Sequence, residues 1–306
     1  MANRKLKRPT RLVLDYDGTL TVKDTMAVLG TLPKQPTKLS WDEIVEAYLK
    51  DYEKYQNEKF PWQNYDATEY SAWLASRDWA EQNSARRVQD SGYFKGVTQS
   101  DIRSAVQQAL QNDTLQLRPG WTDLFQACIP SPSNAESPSS SIEILSVNWS
   151  STAIRLALEA GAQAQSTPNP ALLSYITKTL PIHANEIRPS GFLIRPNGGD
   201  IRTNIDKLAH FRSSSSSDMF TVYIGDSSTD FDCLCAADLG IWIYDVSEDE
   251  YEKVSEKVFA PLKYVPPMLR SLEGREPDGK ELFYWAREFG EVVGYLTVVE
   301  EGDGNS

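Results

Sequence analysis

Residues 11–19 read Arg-Leu-Val-Leu-Asp15-Tyr-Asp17-Gly-Thr19, an apolar run that stops at two carboxylates and a glycine. A strand covered on both faces reads as near-continuous apolar sequence, so 11–14 are predicted to be a buried strand of a parallel sheet. The two carboxylates then fall at its carboxyl end, where open α/β sheets bind ligands. Three later stretches have the same form: 142–147 (IEILSV), 219–226 (MFTVYIGD) and 239–245 (LGIWIYD). Helical patterns separate them, and alternating strand and helix imply an α/β fold with a covered parallel sheet.

The region after Thr19 breaks this alternation. Ser40-Trp-Asp-Glu43 is a capping box, and Trp41, Ile44, Val45, Tyr48, Leu49 and Tyr52 follow at amphipathic-helix spacing. Further helical patterns hold Tyr70, Trp73 and Leu74, and then Ile102, Ala105, Val106, Ala109 and Leu110. The expected organisation is an α/β core over 10–22 and 119–300, an all-helical insertion over 23–118, and disordered tails at 1–9 and 299–306. Gly161 is expected to cap the helix after the second strand. The segment from Gly279 to Leu296 is expected to be helical. The Ser/Pro-rich stretch 130–141 and the serine run 213–217 read as loops.

Composition excludes several functions. The chain has 306 residues and a formal charge of −12, with a pI near 4.8. This disfavours nucleic acid and anionic membranes, both of which are held by clustered Lys and Arg. No apolar run approaches the ~20 residues of a membrane span. Three cysteines make no disulfide framework and fit a reducing, cytoplasmic setting. Cys233 and Cys235 read as core packing. Only two histidines occur, His183 and His210, so a histidine-rich metal centre is not expected, and His183 reads as structural.

Four carboxylates (Asp15, Asp17, Asp226, Asp230), the Ser146 hydroxyl and the Lys207 ammonium can converge at the strand ends. Like charges a few ångströms apart repel, and a hard divalent cation such as Mg²⁺ resolves the conflict while also taking phosphate oxygens. The expected phosphate contacts are Gly18, Thr19, Ser146, Val147, Asn148 and Lys207. A carboxylate beside the metal can attack phosphorus. The Asp15/Asp17 pair then suits a nucleophile and a general acid/base.

DYDGT, Ser146, Lys207 and GDSSTD resemble the four motifs of the haloacid dehalogenase (HAD) superfamily, over 10–22 and 119–245. The helical insertion resembles that superfamily's C1 cap, and its position resembles that in the phosphoserine-phosphatase branch. The resemblance implies a Rossmann-like core with Mg²⁺ as cofactor. It also implies Asp15 as nucleophile, Asp17 as acid/base, Ser146 and Lys207 on the phosphoryl group, and Asp15, Asp17 (through its backbone carbonyl) and Asp226 on the metal, supported by Asp230. Dehalogenases lack the second aspartate, so Asp17 argues for phosphoryl transfer. HANE (183–186), Asp206-Lys207 and VYIGDSSTDFDCLCAADLGIWI resemble the phosphatase domain of plant proteins that join TenA-type and HAD domains and act on thiamin monophosphate; no TenA-like stretch is present here. Ser146-Val-Asn148-Trp149 replaces the Ser-Gly-Gly of phosphoserine phosphatases.

The expected activity is hydrolysis of a small organic phosphate monoester through an aspartyl-phosphate, by a monomer or homodimer. Thiamin monophosphate and sugar or polyol phosphates are the substrates in view. A phosphotransferase or phosphomutase on the same site, or a silent scaffold, are the alternatives. Twelve aromatic residues lie between 41 and 94; they are expected to build the cap's own core, and Trp149 is expected to face the pocket.

Overall fold

The computed structural model describes residues 4–33, 36–59, 65–129, 140–194, 200–214 and 219–299. Its strands, in chain order, are β1 (Arg4–Leu6), β2 (Thr10–Leu14), β3 (Ser141–Leu145), β4 (Ile182–His183), β5 (Glu186–Ile187), β6 (Leu193–Ile194), β7 (Phe220–Gly225), β8 (Leu239–Ile243), β9 (Tyr284–Ala286) and β10 (Thr297–Val299). Six of them form one sheet in the order β4-β3-β2-β7-β8-β9, parallel throughout. The expected α/β class, a Rossmann-like parallel sheet with a helical insertion, is the fold observed.

Side chains alternate across the sheet, so its two faces carry separate cores. Leu12, Leu14, Ile144 and Ile224 pack on one side; Val13, Leu145, Tyr223 and Trp242 pack on the other. All eight are fully buried, which is why these strands read as unbroken apolar runs.

The insertion holds α1 (Met26–Leu29), α2 (Trp41–Lys59), α3 (Ala67–Ala75), α4 (Asp78–Ser91) and α5 (Gln99–Gln111). The chain leaves and re-enters the core along two adjacent segments. Val22 N donates to Gln116 O (2.9 Å) and Arg118 N donates to Leu20 O (2.8 Å). Helix α3 also docks on the core: Tyr70 meets Phe231 edge-on at 4.7 Å, and the Ser71 hydroxyl donates to Asp232 (2.9 Å). The core helices are α6 (Trp121–Cys128), α7 (Ser151–Gln163), α8 (Pro170–Lys178), α9 (Asn204–Ser213), α10 (Phe231–Ala236), α11 (Glu248–Val258) and α12 (Phe289–Leu296). Among the described residues no helix is long and apolar enough to cross a membrane.

Several local expectations are corrected. The N-terminal segment expected as a disordered tail contains β1, which pairs antiparallel with β10; each strand alone is too short to read as one, and the partner lies some 290 residues away in sequence. The stretch expected to be one helix from Gly279 contains β9, the far edge of the sheet, with α12 only after it. Helix α7 runs past Gly161 to Gln163. Gly161 serves packing instead: a Cβ there would lie 2.2 Å from Leu117 Cδ1. The loop expected at 130–141 lies outside the described residues up to 139, and its last residue, Ser141, opens β3.

Candidate active site

Asp15 sits one residue beyond β2, and its N–H still donates to Ile224 O (2.9 Å), so the ladder continues up to the carboxylate. The chain then turns tightly, with the N–H groups of Thr19, Leu20 and Thr21 all directed at Tyr16 O. Gly18 adopts φ +70°, a conformation disfavoured for L-residues carrying a Cβ, and a Cβ there would lie 2.1 Å from Asp226 Oδ2. The turn is tied to the loop after β7 by Thr19 Oγ1, which donates to Asp226 Oδ1 (2.9 Å). Arg118 locks it from behind, donating to Thr19 O (2.9 Å) and Gly18 O (2.6 Å).

Helix α9 starts at a capping box in which Thr203 and Asp206 satisfy each other's backbone N–H groups. This places Lys207 in its first turn, fully buried. Its Nζ lies 2.9 Å from Asp15 Oδ2 and 2.7 Å from Asp230 Oδ1. Tyr223 Oη also donates to Asp230 Oδ1 (2.6 Å), and Ser227 N donates to Asp230 Oδ2 (3.0 Å). One carboxylate oxygen from each of Asp15, Asp226 and Asp230 lies within 4.8 Å of the others.

Two buried carboxylates, Asp15 and Asp230, and the half-buried Asp226 thus surround one ammonium. Burial, and then the Asp230 charge, push the Asp15 carboxyl up to about 7 against the pull of Lys207. Burial with Asp230 and Asp15 raises Asp226 well above the carboxylate range. Burial opposes the Lys207 charge, yet the two aspartates raise its pKa. An all-oxygen donor set with excess negative charge fits Mg²⁺, which Asp15, Asp226 and Asp230 could hold.

The Asp17 side chain stands apart from that trio. Its Oδ1 accepts from Thr25 N (2.8 Å) and Thr25 Oγ1 (2.6 Å), and its Oδ2 from Asn148 Nδ2 (2.6 Å). Burial, with the nearby Asp24 charge, raises this carboxyl to about 6. The Asn148 amide, expected at the phosphate, is directed at Asp17. Ser146 is fully buried at the end of β3, and its Oγ accepts from Asn148 N (3.2 Å).

The HANE stretch shapes this loop. Asn185 Nδ2 donates to Val147 O (3.1 Å) and to Ile201 O (2.8 Å). Glu186 accepts from the hydroxyls of Ser150, Ser151 and Thr152 at the start of α7. Thr25 and Arg118 carry no signal in the sequence, because they reach the site from featureless segments, and Tyr223, inside the strand that ends at Asp226, reads only as a core residue of that strand.

The site opens into a cavity of about 590 Å³ between core and insertion, whose lining includes Asp15, Asp17, Gly18, Val147, Asn148 and Asp226. From the insertion come Trp41, Ile44, Tyr48, Leu49, Arg77 and Glu81. Trp149 lines the same cavity, edge-on to Trp41 (6.2 Å) and Phe94 (6.1 Å). Other insertion aromatics (Tyr55, Tyr70, Phe94) are buried, so the cluster serves both the helical core and the cavity wall.

Solved structures that resemble the chain include HAD-family hydrolases and phosphoserine phosphatases. One is a HAD-family hydrolase from Salmonella enterica serovar Typhi, 14% identical, covering 97% of this chain and 73% of that one, with a TM-score of 0.41. Another is a phosphoserine phosphatase with a phospho-aspartyl intermediate analogue, 15% identical, covering 78% of this chain and 87% of that one, with a TM-score of 0.37. Among curated proteins, the CTO1 family protein C17G9.12c of Schizosaccharomyces pombe is 28% identical over 245 residues, 75% of this chain and 80% of that protein. The bifunctional TH2 protein, mitochondrial, of Arabidopsis thaliana is 25% identical over 262 residues, 74% of this chain and 38% of that longer protein. No family model matches the chain.

Proposed function

We propose that the chain is a HAD-type phosphatase that hydrolyses a small organic phosphate monoester through an aspartyl-phosphate on Asp15. One observation carries this reading: at the carboxyl end of a parallel sheet, Lys207 bonds Asp15 (2.9 Å) while Asp226 and Asp230 group their oxygens with it within 4.8 Å. Mg²⁺, when bound to these carboxylates, supplies positive charge that favours phosphate binding and offsets charge developing in the transition state.

The remaining roles fall to the chain itself. Asp15 is the nucleophile; Tyr16 N donates to its Oδ1 (2.7 Å) and Lys207 to its Oδ2, so the carboxylate is held rigid and oriented. Lys207 and the Ser146 hydroxyl bind the transferring phosphoryl oxygens. Asp17, with a carboxyl pKa raised to about 6, protonates the leaving oxygen and then takes a proton from the water that hydrolyses the acyl-phosphate. Thr25 and Asn148 fix its orientation. The insertion closes over the cavity and keeps out bulk water.

The substrate is a small phosphorylated metabolite. Thiamin monophosphate, from the resemblance to plant TenA–HAD proteins, is the first to assay, and sugar and polyol phosphates come next. A cytosolic monomer or homodimer belongs to the same proposal, and the charge of −12 supports the absence of a nucleic-acid or anionic-membrane partner.

The test is hydrolysis of para-nitrophenyl phosphate and of a phosphometabolite panel, with Mg²⁺ and with EDTA. Asp15→Asn should remain folded and lose turnover. Full activity in that variant, or no turnover with any divalent metal, overturns the proposal. Product analysis with an acceptor alcohol separates hydrolysis from phosphoryl transfer.

A further inference from the structure

We propose that Glu143, His183 and His210 form a second metal site, distinct from the buried aspartates, that takes a borderline transition ion such as Zn²⁺ or Co²⁺ and staples α9 to the sheet. The chain contains only two histidines. They come from β4 and α9, yet their rings meet with centroids 4.0 Å apart at a 44° tilt. Glu143 joins them from β3, with Oε2 lying 3.2 Å from His183 Nε2. One ligand atom from each of the three lies within 4.8 Å of the others.

A tetrahedral ion with bonds of about 2.1 Å needs donor atoms about 3.4 Å apart, so from atoms within 4.8 Å of one another a closing of at most about 1.4 Å forms the site. Two imidazoles and one carboxylate suit Zn²⁺, Cu²⁺ or Co²⁺ and not Mg²⁺. The His183 side chain is 26% exposed, which leaves a fourth position reachable by water.

The surroundings act as an outer shell. Arg11 donates from Nε to Glu143 Oε1 (2.8 Å) and also from Nη2. This orients the carboxylate so that Oε2 faces the histidines. The guanidinium charge opposes a dication, so the site should bind more weakly than one with an unpaired carboxylate. The location gives the ion a consequence. His210 lies three residues after Lys207 on α9, about one helical turn. An ion shared by β3, β4 and α9 holds the helix that carries Lys207 into the aspartate site.

The test uses the full chain in excess Mg²⁺, titrated with Co²⁺ and followed by visible absorbance and by metal analysis after dialysis. The expected result is one Co²⁺ per chain with an absorption spectrum of nitrogen ligation. Binding should weaken at least 30-fold in His183→Gln and in His210→Gln but persist in Asp226→Asn. Zn²⁺ should raise the melting temperature of the wild type and of Asp226→Asn, and leave both histidine variants unmoved. Unchanged Co²⁺ binding in both histidine variants, or none by the wild type beyond the aspartate site, overturns the proposal. If either variant fails to fold, modification of the wild-type histidines by diethyl pyrocarbonate decides: protection by Zn²⁺ supports the site, and its absence sinks it. None of these readouts depends on phosphatase activity.

Discussion

Gly18 has no room for a side chain because Asp226 stands over it: a Cβ on Gly18 would lie 2.1 Å from Asp226 Oδ2. The glycine of the first loop and the aspartate of the third are therefore fitted to each other. Gly18→Ala must adopt φ +70°, which costs about 1–2 kcal/mol with a Cβ present, and must also displace Asp226. The expected outcome is a modest drop in melting temperature with a large rise in the Mg²⁺ concentration needed for half-maximal activity. An unchanged Mg²⁺ requirement would show that Asp226 is not a ligand.

Lys207 is the one cation in direct contact with Asp15 and Asp230 among the described residues. Removing one partner of a buried ion pair costs roughly 3–5 kcal/mol because it leaves uncompensated charge. Lys207→Met should therefore melt well below the wild type without metal. Mg²⁺ should restore part of that loss, while turnover stays at least 100-fold down. Melting curves with and without Mg²⁺ check this.

Thr25 donates two hydrogen bonds to Asp17, and both favour the ionised carboxylate. Thr25→Val removes the hydroxyl bond, so the Asp17 pKa rises further. If Asp17 must carry a proton when the ester bond breaks, the alkaline limb of kcat/KM should move to higher pH by a fraction of a unit. Turnover should fall about tenfold as the carboxylate loses its orientation. A pH profile identical to that of the wild type would assign the proton to another group.

Glu143 gives an acid-stability prediction away from the catalytic residues. Burial pushes its carboxyl up, but the His183 hydrogen bond and the Arg11 guanidinium outweigh burial and leave it below its ordinary value. A carboxyl depressed in the folded state contributes stability that is present above its unfolded pKa, about 4.3. That contribution is lost as pH falls through the lower folded value. Glu143→Gln should therefore flatten the fall in melting temperature below about pH 4.3. Parallel wild-type and variant curves in that window would show that the carboxyl is not depressed.

Much of the site was legible because it is written at strand ends. The apolar run into Asp15 and the run into Asp226 announce both the strand and its polar terminus, whereas the capping box that sets Lys207 in the first turn of its helix emerged only in the structure. Other features leave no local mark. Asn148 reads as a phosphate contact but holds Asp17 across 131 residues. Arg118 locks a turn a hundred residues upstream. Strands β1 and β9 are three residues each, too short for periodicity to reveal.

The sequence by itself determined the α/β alternation, the helical insertion and the identity of the acidic and basic groups at the sheet's edge. Hydrophobic period and turn chemistry are local, and each can be read within a short window of sequence. Only the tertiary structure decided which carboxylate pairs with Lys207, which donors hold Asp17, and that both histidines meet over Glu143. Those outcomes depend on strand order and helix docking, which bring residues from distant segments within hydrogen-bonding reach.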